Sequence, residues 1–239
     1  MTKPFCNLCG NDKFGPVGKR SQARCQSCQS LERTRLMWLY IQNRVPLDPA
    51  MRILHFAPEE GLYSVITDTT GKDNYICSDI SQDRYKFAKI FKTIDLTCDL
   101  EQFDDGEFDL IIHSHVLEHV PCNVAYVLYH IHRILKPTGK HICVIPFMGG
   151  AHDESFDDLP ADEATRRFGQ ADHVRRFGTR HLASTLGCII NLPESFDAEA
   201  DFGDETLSRH NIPDFCRKGF QPSTVLCLGK EDYRLLPGR

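Results

Sequence analysis

Four cysteines in two Cys-x2-Cys pairs, Cys6 with Cys9 and Cys25 with Cys28, have the spacing in this 239-residue chain that most directly dictates a chemistry. Each pair points two thiolates at one ion from a tight turn, and two pairs complete the tetrahedral four-sulfur shell that zinc prefers. Gly10, directly after the first pair, suits a sharp backbone turn beneath the ion. Four thiolates leave no position for water, so the expected zinc is structural. It supplies much of the folding energy of a segment too small to bury a core. The competing reading is a redox Cys-x-x-Cys, which needs only one pair at a βα junction. The remaining cysteines (Cys77, Cys98, Cys122, Cys143, Cys188, Cys216, Cys227) are scattered, several within apolar runs, and read as core or surface thiols.

A second group centres on His115-Val116-Leu117-Glu118-His119. It matches H-x-x-E-H, an inverted zinc-protease motif that on a helix sets both histidines on one face. The segment leaves an apolar strand and shows neither a third ligand nor a suitable helix, so a metallopeptidase is set aside. His115 keeps a catalytic reading as a general base just past a strand end, against the alternative of a hydrogen-bonded histidine without catalytic duty. Asp79 ends another apolar strand, where a carboxylate accepts hydrogen bonds from ribose hydroxyls; its alternative is a solvated acid. The stretch 149–180 holds acids first (Asp153, Glu154, Asp157, Asp158, Asp162, Glu163) and arginines later (Arg166, Arg167, Arg175, Arg176, Arg180). Within it His173, Arg175 and Arg176, grouped with His119, are candidates for contact with an anionic or hydroxylated substrate. The alternative is a mixed-charge surface loop that pairs with itself. Its length alone marks it as a candidate lid.

The elements that must position these residues alternate. Strands are expected at Arg52–Phe56, Asn74–Asp79, Thr93–Leu96, Phe108–His113 and Lys140–Pro146, with later ones at Cys188–Leu192 and Thr224–Leu228. Helices are expected at Leu62–Asp68, at Asn123–Leu135 before Pro137 and Gly139, and at His181–Gly187. Such alternation builds an α/β fold with a Rossmann-like, mainly parallel, seven-stranded sheet flanked by helices. Its ligands sit at the carboxyl ends of the strands, so the loops after His55, Asp79, Leu96 and His113 surround one pocket. The expected organisation is a zinc ribbon over 1–30, a helical linker over 31–50 ending near Pro46, and a main domain over 51–239.

Charge is uneven along the chain. The first 50 residues carry eight Lys/Arg against three acids, +5, leaving −10 for the rest of a chain whose net charge is −5. An acidic body argues against a broad nucleic-acid surface, while the basic head leaves a local RNA contact open. No apolar run reaches the length of a membrane span and the start lacks a signal-peptide pattern, so a cytoplasmic protein without a membrane partner is expected. Oligomeric state is not legible.

Over roughly Met51 to Gly229 the chain resembles the class I S-adenosylmethionine-dependent methyltransferases. The resemblance rests on motifs in series: Phe108-Asp109-Leu110-Ile111-Ile112-His113, then Val116-Leu117-Glu118-His119-Val120, then Ile131–Lys136 with Pro137-Thr138-Gly139 and a strand. The family's "FDLI", "VLEHV" and "RVLKPGG" occur in that order and at that spacing. Zinc-ribbon heads occur in this family, including on a ribosomal RNA guanine methyltransferase. Phe168-Gly169-Gln170-Ala171-Asp172-His173-Val174-Arg175 is similar to segments of zinc-ribbon methyltransferases. The chain departs from the family at the first loop. His55-Phe56-Ala57-Pro58-Glu59-Glu60-Gly61 replaces a glycine-rich turn, and Pro58 removes one amide donor.

The resemblance implies S-adenosylmethionine as cofactor. His55, Phe56, Ala57 and Glu59 would lie along its methionine part, with Glu59 at the ammonium group; the alternative for Glu59 is an acid favoured by a helix dipole. Asp79 would hold the ribose, Asp99 and Leu100 would flank the adenine with Asp95 as the competing acid, and His113 would close the pocket. The expected function is methyl transfer to a small-molecule or glycan acceptor. The alternatives are an RNA methyltransferase reading RNA through the basic ribbon, and a non-catalytic binding module.

Overall fold

The computed structural model describes residues 3–234. The chain opens with a hairpin of β1 (Phe14–Val17) and β2 (Arg20–Cys25), turned through Gly18 at φ 55°. Helix α1 (Glu32–Arg44) follows and buries every side chain from Thr34 to Ile41. A helix buried on so many faces has no solvent stripe. It packs with Ile53, Ile112, Ile142 and Val144 of the sheet on one side and with Leu8, Phe196 and Phe202 around it. The stretch read as a helical linker is therefore a layer of the body.

β3 (Ile53–Phe56), α2 (Glu60–Thr70), β4 (Tyr75–Asp79), β5 (Ile90–Thr93), β6 (Phe108–Ser114), α3 (Val124–Ile134) and β7 (Leu135–Val144) build a central sheet, completed by β11 (Val225–Leu228). Its order is β11-β7-β6-β3-β4-β5. The five strands β3 to β7 run parallel, and β11 pairs antiparallel with β7 through Val225↔Val144 and Leu228↔His141. From β3 the chain winds outward to β5, then returns to lay β6 on the other side. The reversal point lies between β3 and β6, and the crevice above the carboxyl ends there is where such folds hold ligands. Both faces are covered: Leu62, Tyr63 and Ile66 of α2 join α1 on one, and Val127, Leu128, Ile131 and Ile134 of α3 lie on the other.

The sheet corrects several expectations. Among the described residues it has six strands, where seven were expected. The residues expected to form a seventh, Cys188–Leu192, follow two short 3-10 turns (Leu182–Ser184, Leu186–Cys188), and Ile190 makes a single bridge to Tyr233. Leu186 and Ile190 are both buried, four residues apart, which drives a turn onto the core instead of an extended pairing. Thr185, at φ −114° and ψ −104°, likewise breaks the helix expected over His181–Gly187. β5 ends at Thr93, where a strand had been expected to begin. Ile94 and Leu96 keep the alternating burial of a strand but belong to the loop beyond it.

Beyond β7, a small sheet of β8 (Phe147–Met148), β9 (Asp153–Glu154) and β10 (Arg175–Gly178), ordered β8-β10-β9, stands with α4 (Ala161–Phe168) over the carboxyl end of the main sheet. Gly178 is required there: a Cβ would sit 2.1 Å from the backbone of Ala151. The acid and arginine halves of 149–180 pair across this unit, with Asp153 on Arg167 at 2.8 Å and Glu154 on Arg175 at 3.2 Å. Two short helices, α5 (Ala198–Phe202) and α6 (Asp204–Arg209), lie outside α1. Among the described residues no helix is long and apolar enough to cross a membrane.

Candidate functional site

A cleft of about 570 Å³ opens above the carboxyl ends of β3, β4, β5 and β6. Ligand sites for molecules of cofactor size span roughly 300–1,000 Å³. One wall is the β3–α2 loop. Phe56 and Ala57 line the cleft, and Ala57 is held at φ 48°, a left-handed conformation that costs a residue with a Cβ about 1–2 kcal/mol. Its amide donates to Ser78 O at 2.8 Å, so the turn is tied to the end of β4. Alanine here adopts the backbone shape for which a glycine would serve, and its small side chain leaves the approach open.

Asp79 stands at the end of β4 in the cleft. One carboxylate oxygen accepts from the Ile80 amide at 2.7 Å and the other from the Tyr85 hydroxyl at 2.5 Å. Both oxygens are thereby aimed, and each retains a lone pair. Burial, with Asp79 alongside, pushes the Tyr85 phenol above its ordinary range, so it stays a donor. Ile80 is 72% exposed at the rim, a large apolar side chain next to a carboxylate. The floor beyond β5 is Asp95-Leu96-Thr97. Asp99 and Leu100, expected at the adenine, lie outside the cleft: Asp99 accepts the Asp95 amide at 2.8 Å, and Leu100 is fully buried in the core. The three-residue shift of β5 moves the lining acid to Asp95.

Two further cofactor candidates are displaced by burial. His55 is wholly inaccessible, bonded through Nδ1 to the Tyr75 hydroxyl at 2.7 Å and facing Glu59 at 3.5 Å from Nε2. Burial alone would raise the Glu59 carboxyl, but His55 and the nearby Arg33 outweigh it and hold the group below the usual range. Glu59 is thus engaged with His55 at the start of α2. His113 is also enclosed in the sheet, its ring 4.9 Å from that of His141, and burial with that neighbour keeps it neutral.

The far wall is the turn after β6. His115 lies at φ 55°, a second strained backbone position facing the cleft. Its Nε2 donates to Pro222 O at 2.8 Å, so Nδ1 carries the lone pair, 3.4 Å from Glu118 Oε1. Burial pushes the His115 pKa down to about 4, with Arg33 adding to the effect. Burial raises Glu118 to about 8. His119 and Asp172 also line the cleft. His173 is buried beside them, its ring perpendicular to that of His119 with centroids 4.6 Å apart.

The arginines behave differently from the expectation. Arg175 has no exposed surface. Its guanidinium donates to the carbonyls of Leu117 and Cys122 and to Glu154, so it clamps the turn that carries Glu118 and His119 and is not available to a substrate. Arg176 bonds Ala151 O at 3.2 Å. Position in a charge-rich loop does not tell whether a guanidinium turns outward or is drawn in by carbonyls. Tyr85, Ile80 and Thr97 were not singled out from sequence; they carry no motif and become neighbours only through the loops. Arg33 was missed for the same reason: it projects from the ribbon side toward His115, Glu118 and Glu59.

In the ribbon, the sulfurs of Cys6, Cys9, Cys25 and Cys28 lie within 4.8 Å of one another, with Cys6–Cys28 and Cys9–Cys25 each at 3.5 Å. A tetrahedral shell with Zn–S near 2.3 Å has edges of about 3.8 Å, so the set closes on an ion with small shifts. The ribbon is fastened to the body at several points, of which two bear on the site. Buried Arg35 donates to Ala23 O and Ser30 O on the ribbon and to His210 O and Asn211 O on the body, at 2.8–3.2 Å. Gly61, in the first turn of α2, lies directly under Cys28: a Cβ there would be 3.0 Å from Cys28 O.

Comparison with known proteins agrees with this geometry. Residues 54–143, less than half of the chain, match the family model of a methyltransferase domain. No curated protein matches the chain in sequence. Among solved structures, an S-adenosylmethionine-dependent methyltransferase from Mesorhizobium loti superposes with TM-score 0.52 at 16% identity, over 80% of this chain and 95% of that one. A putative methyltransferase from Haloferax volcanii, solved in complex with the Trm112 methyltransferase activator, gives 0.50 at 16% identity, over 83% and 90%. The trans-methyltransferase CalH, in complex with SAH, is 24% identical over 47% of this chain with TM-score 0.34, and the chain spans only 36% of its length. The mainly parallel sheet is the Rossmann-like methyltransferase fold, and the domain match with that fold supports a methyltransferase enzyme.

Proposed function

We propose that this chain transfers a methyl group from S-adenosylmethionine to a small-molecule or glycan acceptor, in the cytoplasm, with a structural zinc ion in its N-terminal ribbon. The reading rests above all on Asp79: an aimed carboxylate at the end of β4, in a cleft at the reversal of strand order, within the segment that matches a methyltransferase domain. The residues present fit the cofactor. Asp79 takes the ribose hydroxyls, exposed Ile80 and Leu96 cover the adenine faces, and Asp95 with Thr97 provides polar groups at its edge. Ala57, with its left-handed backbone, admits the methionine end despite the missing glycines.

When bound, S-adenosylmethionine supplies an electrophilic methyl group on a sulfonium, so the protein has mainly to align an acceptor and relieve it of a proton. His115 suits the second task by geometry. Its tautomer is set by Pro222, and Nδ1 is a free acceptor at the end of β6. The acceptor enters from the side of His115, His119 and Asp172 beneath the small sheet of β8, β9 and β10, which acts as the lid. The acidic body favours a small or glycan acceptor over a polyanion. Zinc at Cys6, Cys9, Cys25 and Cys28 holds the ribbon against Gly61 and so sets the position of the first loop.

Calorimetric titration of zinc-replete protein with S-adenosylmethionine and S-adenosylhomocysteine tests the reading. One-to-one binding of either is expected. No binding of either at millimolar ligand overturns it.

A further inference from the structure

The turn after β6 and the segment that carries His173 bring three metal-ligating side chains together. Glu118 is 1% exposed and neither of its carboxylate oxygens has a hydrogen-bond partner. His173, 7% exposed, donates from Nδ1 to Phe168 O at 3.2 Å; its Nε2, buried and unpartnered, therefore carries the lone pair. His119 donates from Nδ1 to Asp172 O at 3.1 Å, and its Nε2 is likewise left as the acceptor. Metal-ligating histidines are commonly anchored through one nitrogen to a backbone carbonyl, which leaves the other for the ion. One ligand atom from each of Glu118, His119 and His173 lies within 4.8 Å of the other two.

We propose that Glu118, His119 and His173 form a divalent transition-metal site at the wall of the cleft, separate from the cysteine ribbon. Two imidazoles and one carboxylate make a mixed nitrogen and oxygen set that suits Mn²⁺, Fe²⁺, Co²⁺ or Zn²⁺ better than Ca²⁺, and three protein ligands leave coordination positions open. The unpartnered acceptors of buried Glu118 and His173 are costly, and a cation that His119 also reaches satisfies them together. The three residues come from two segments held in register: the Val174 amide donates to Glu118 O at 2.9 Å, and Arg175 clamps the carbonyls of Leu117 and Cys122. Arg175 hydrogen-bonds those carbonyls and Glu154 and makes no hydrogen bond to Glu118; it and Arg33 act on the Glu118 carboxyl through charge alone. His119 and Asp172 line the cleft, so the open positions face it. The ligand class that fits there is an acceptor with a hydroxyl or carbonyl oxygen; that last assignment rests on the methyl-transfer reading, whereas the metal site does not.

The test is titration of zinc-loaded full-length protein with Mn²⁺ alone, followed by calorimetry and by electron paramagnetic resonance of free Mn²⁺, without any methyl donor. One Mn²⁺ per chain is expected in addition to the ribbon zinc. His119→Ala, at a half-exposed side chain, should weaken that binding about tenfold or more while leaving the ribbon zinc and the melting temperature unchanged. Glu118→Gln, close in shape, should weaken it similarly. Absence of Mn²⁺ binding to the wild type, or equal binding by wild type and both variants, overturns the proposal. S-adenosylhomocysteine affinity measured on the same metal-free protein separates the two readings: its loss would count against the methyltransferase function alone.

Discussion

Replacing Arg175 with alanine removes a buried guanidinium whose partners are all identified. Two bonds run to the carbonyls of Leu117 and Cys122, and one to Glu154 at 3.2 Å. A charged donor to a buried carbonyl contributes roughly 1.5–3 kcal/mol. The pair with Glu154, whose side chain is 41% exposed, adds at most about 1 kcal/mol. Against these stands the cost of keeping the charge inside, visible in the downward pull that burial exerts on the Arg175 pKa. The balance is a loss of about 3 kcal/mol. For a chain of this size that lowers the melting temperature by roughly 6–12 °C. Thermal melts and urea midpoints of wild type, Arg175→Ala and Arg175→Lys measure it, and lysine, which keeps the charge but not the fork, should fall between the other two. A loss below about 1 kcal/mol in Arg175→Ala, with weakened substrate binding instead, would refute the clamp and restore the substrate role.

Three other outcomes are expected. Asp79→Ala should weaken S-adenosylhomocysteine roughly 10- to 100-fold in calorimetry, the equivalent of a charged hydrogen bond or two, and unchanged affinity would remove Asp79 from the cofactor site. His141 is fully buried and burial lowers its pKa from 6.5 to about 3. The unfolded chain then binds the extra proton between those values, so stability is complete above pH 6.5 and is lost as pH falls toward 3. By pH 5 the loss is about 2 kcal/mol, and His141→Asn should flatten the acid limb of the melting curve by that amount. Cys9→Ser should lower zinc content well below one per chain, as read by elemental analysis, while wild-type protein retains it through dialysis.

Legibility followed physical type. The continuous apolar runs of β3, β4 and β6, buried on both faces, stand out in the sequence, and so do the ends of β4 and β6 that carry Asp79 and His115. β7 was harder to read: it begins at Leu135, and Pro137 and Gly139 look like a loop although the strand runs through them. Ile94 and Leu96 imitate a strand because a loop folded under a cleft buries alternate residues for the same reason a sheet does. Of the two acids the sequence offered for the pocket, Asp95 lines the cleft and Asp99, the first choice, does not. His55 and Glu59, four residues apart around a βα junction, could be read as cofactor groups; only packing shows that they engage each other. The Glu118, His119 and His173 constellation was half legible as H-x-x-E-H, but its third member lies far along the chain and on no shared element.

The seam at Gly61 bears on how such a chain can change over evolutionary time. An appended module joined by a flexible tether can be lost, exchanged or duplicated without retuning its host. Here the thiol-bearing turn at Cys28 rests on a position without a side chain, and Arg35 bolts the same module to residues 210 and 211, far away in sequence. With no compressible side chain between them, a change of loop length or composition on either side reaches the other as displacement. The two parts are therefore expected to vary together across descendants. A chain shortened to begin at residue 51 would lose α1 as a layer of its core as well as the ribbon, and would behave as a damaged domain instead of a minimal one.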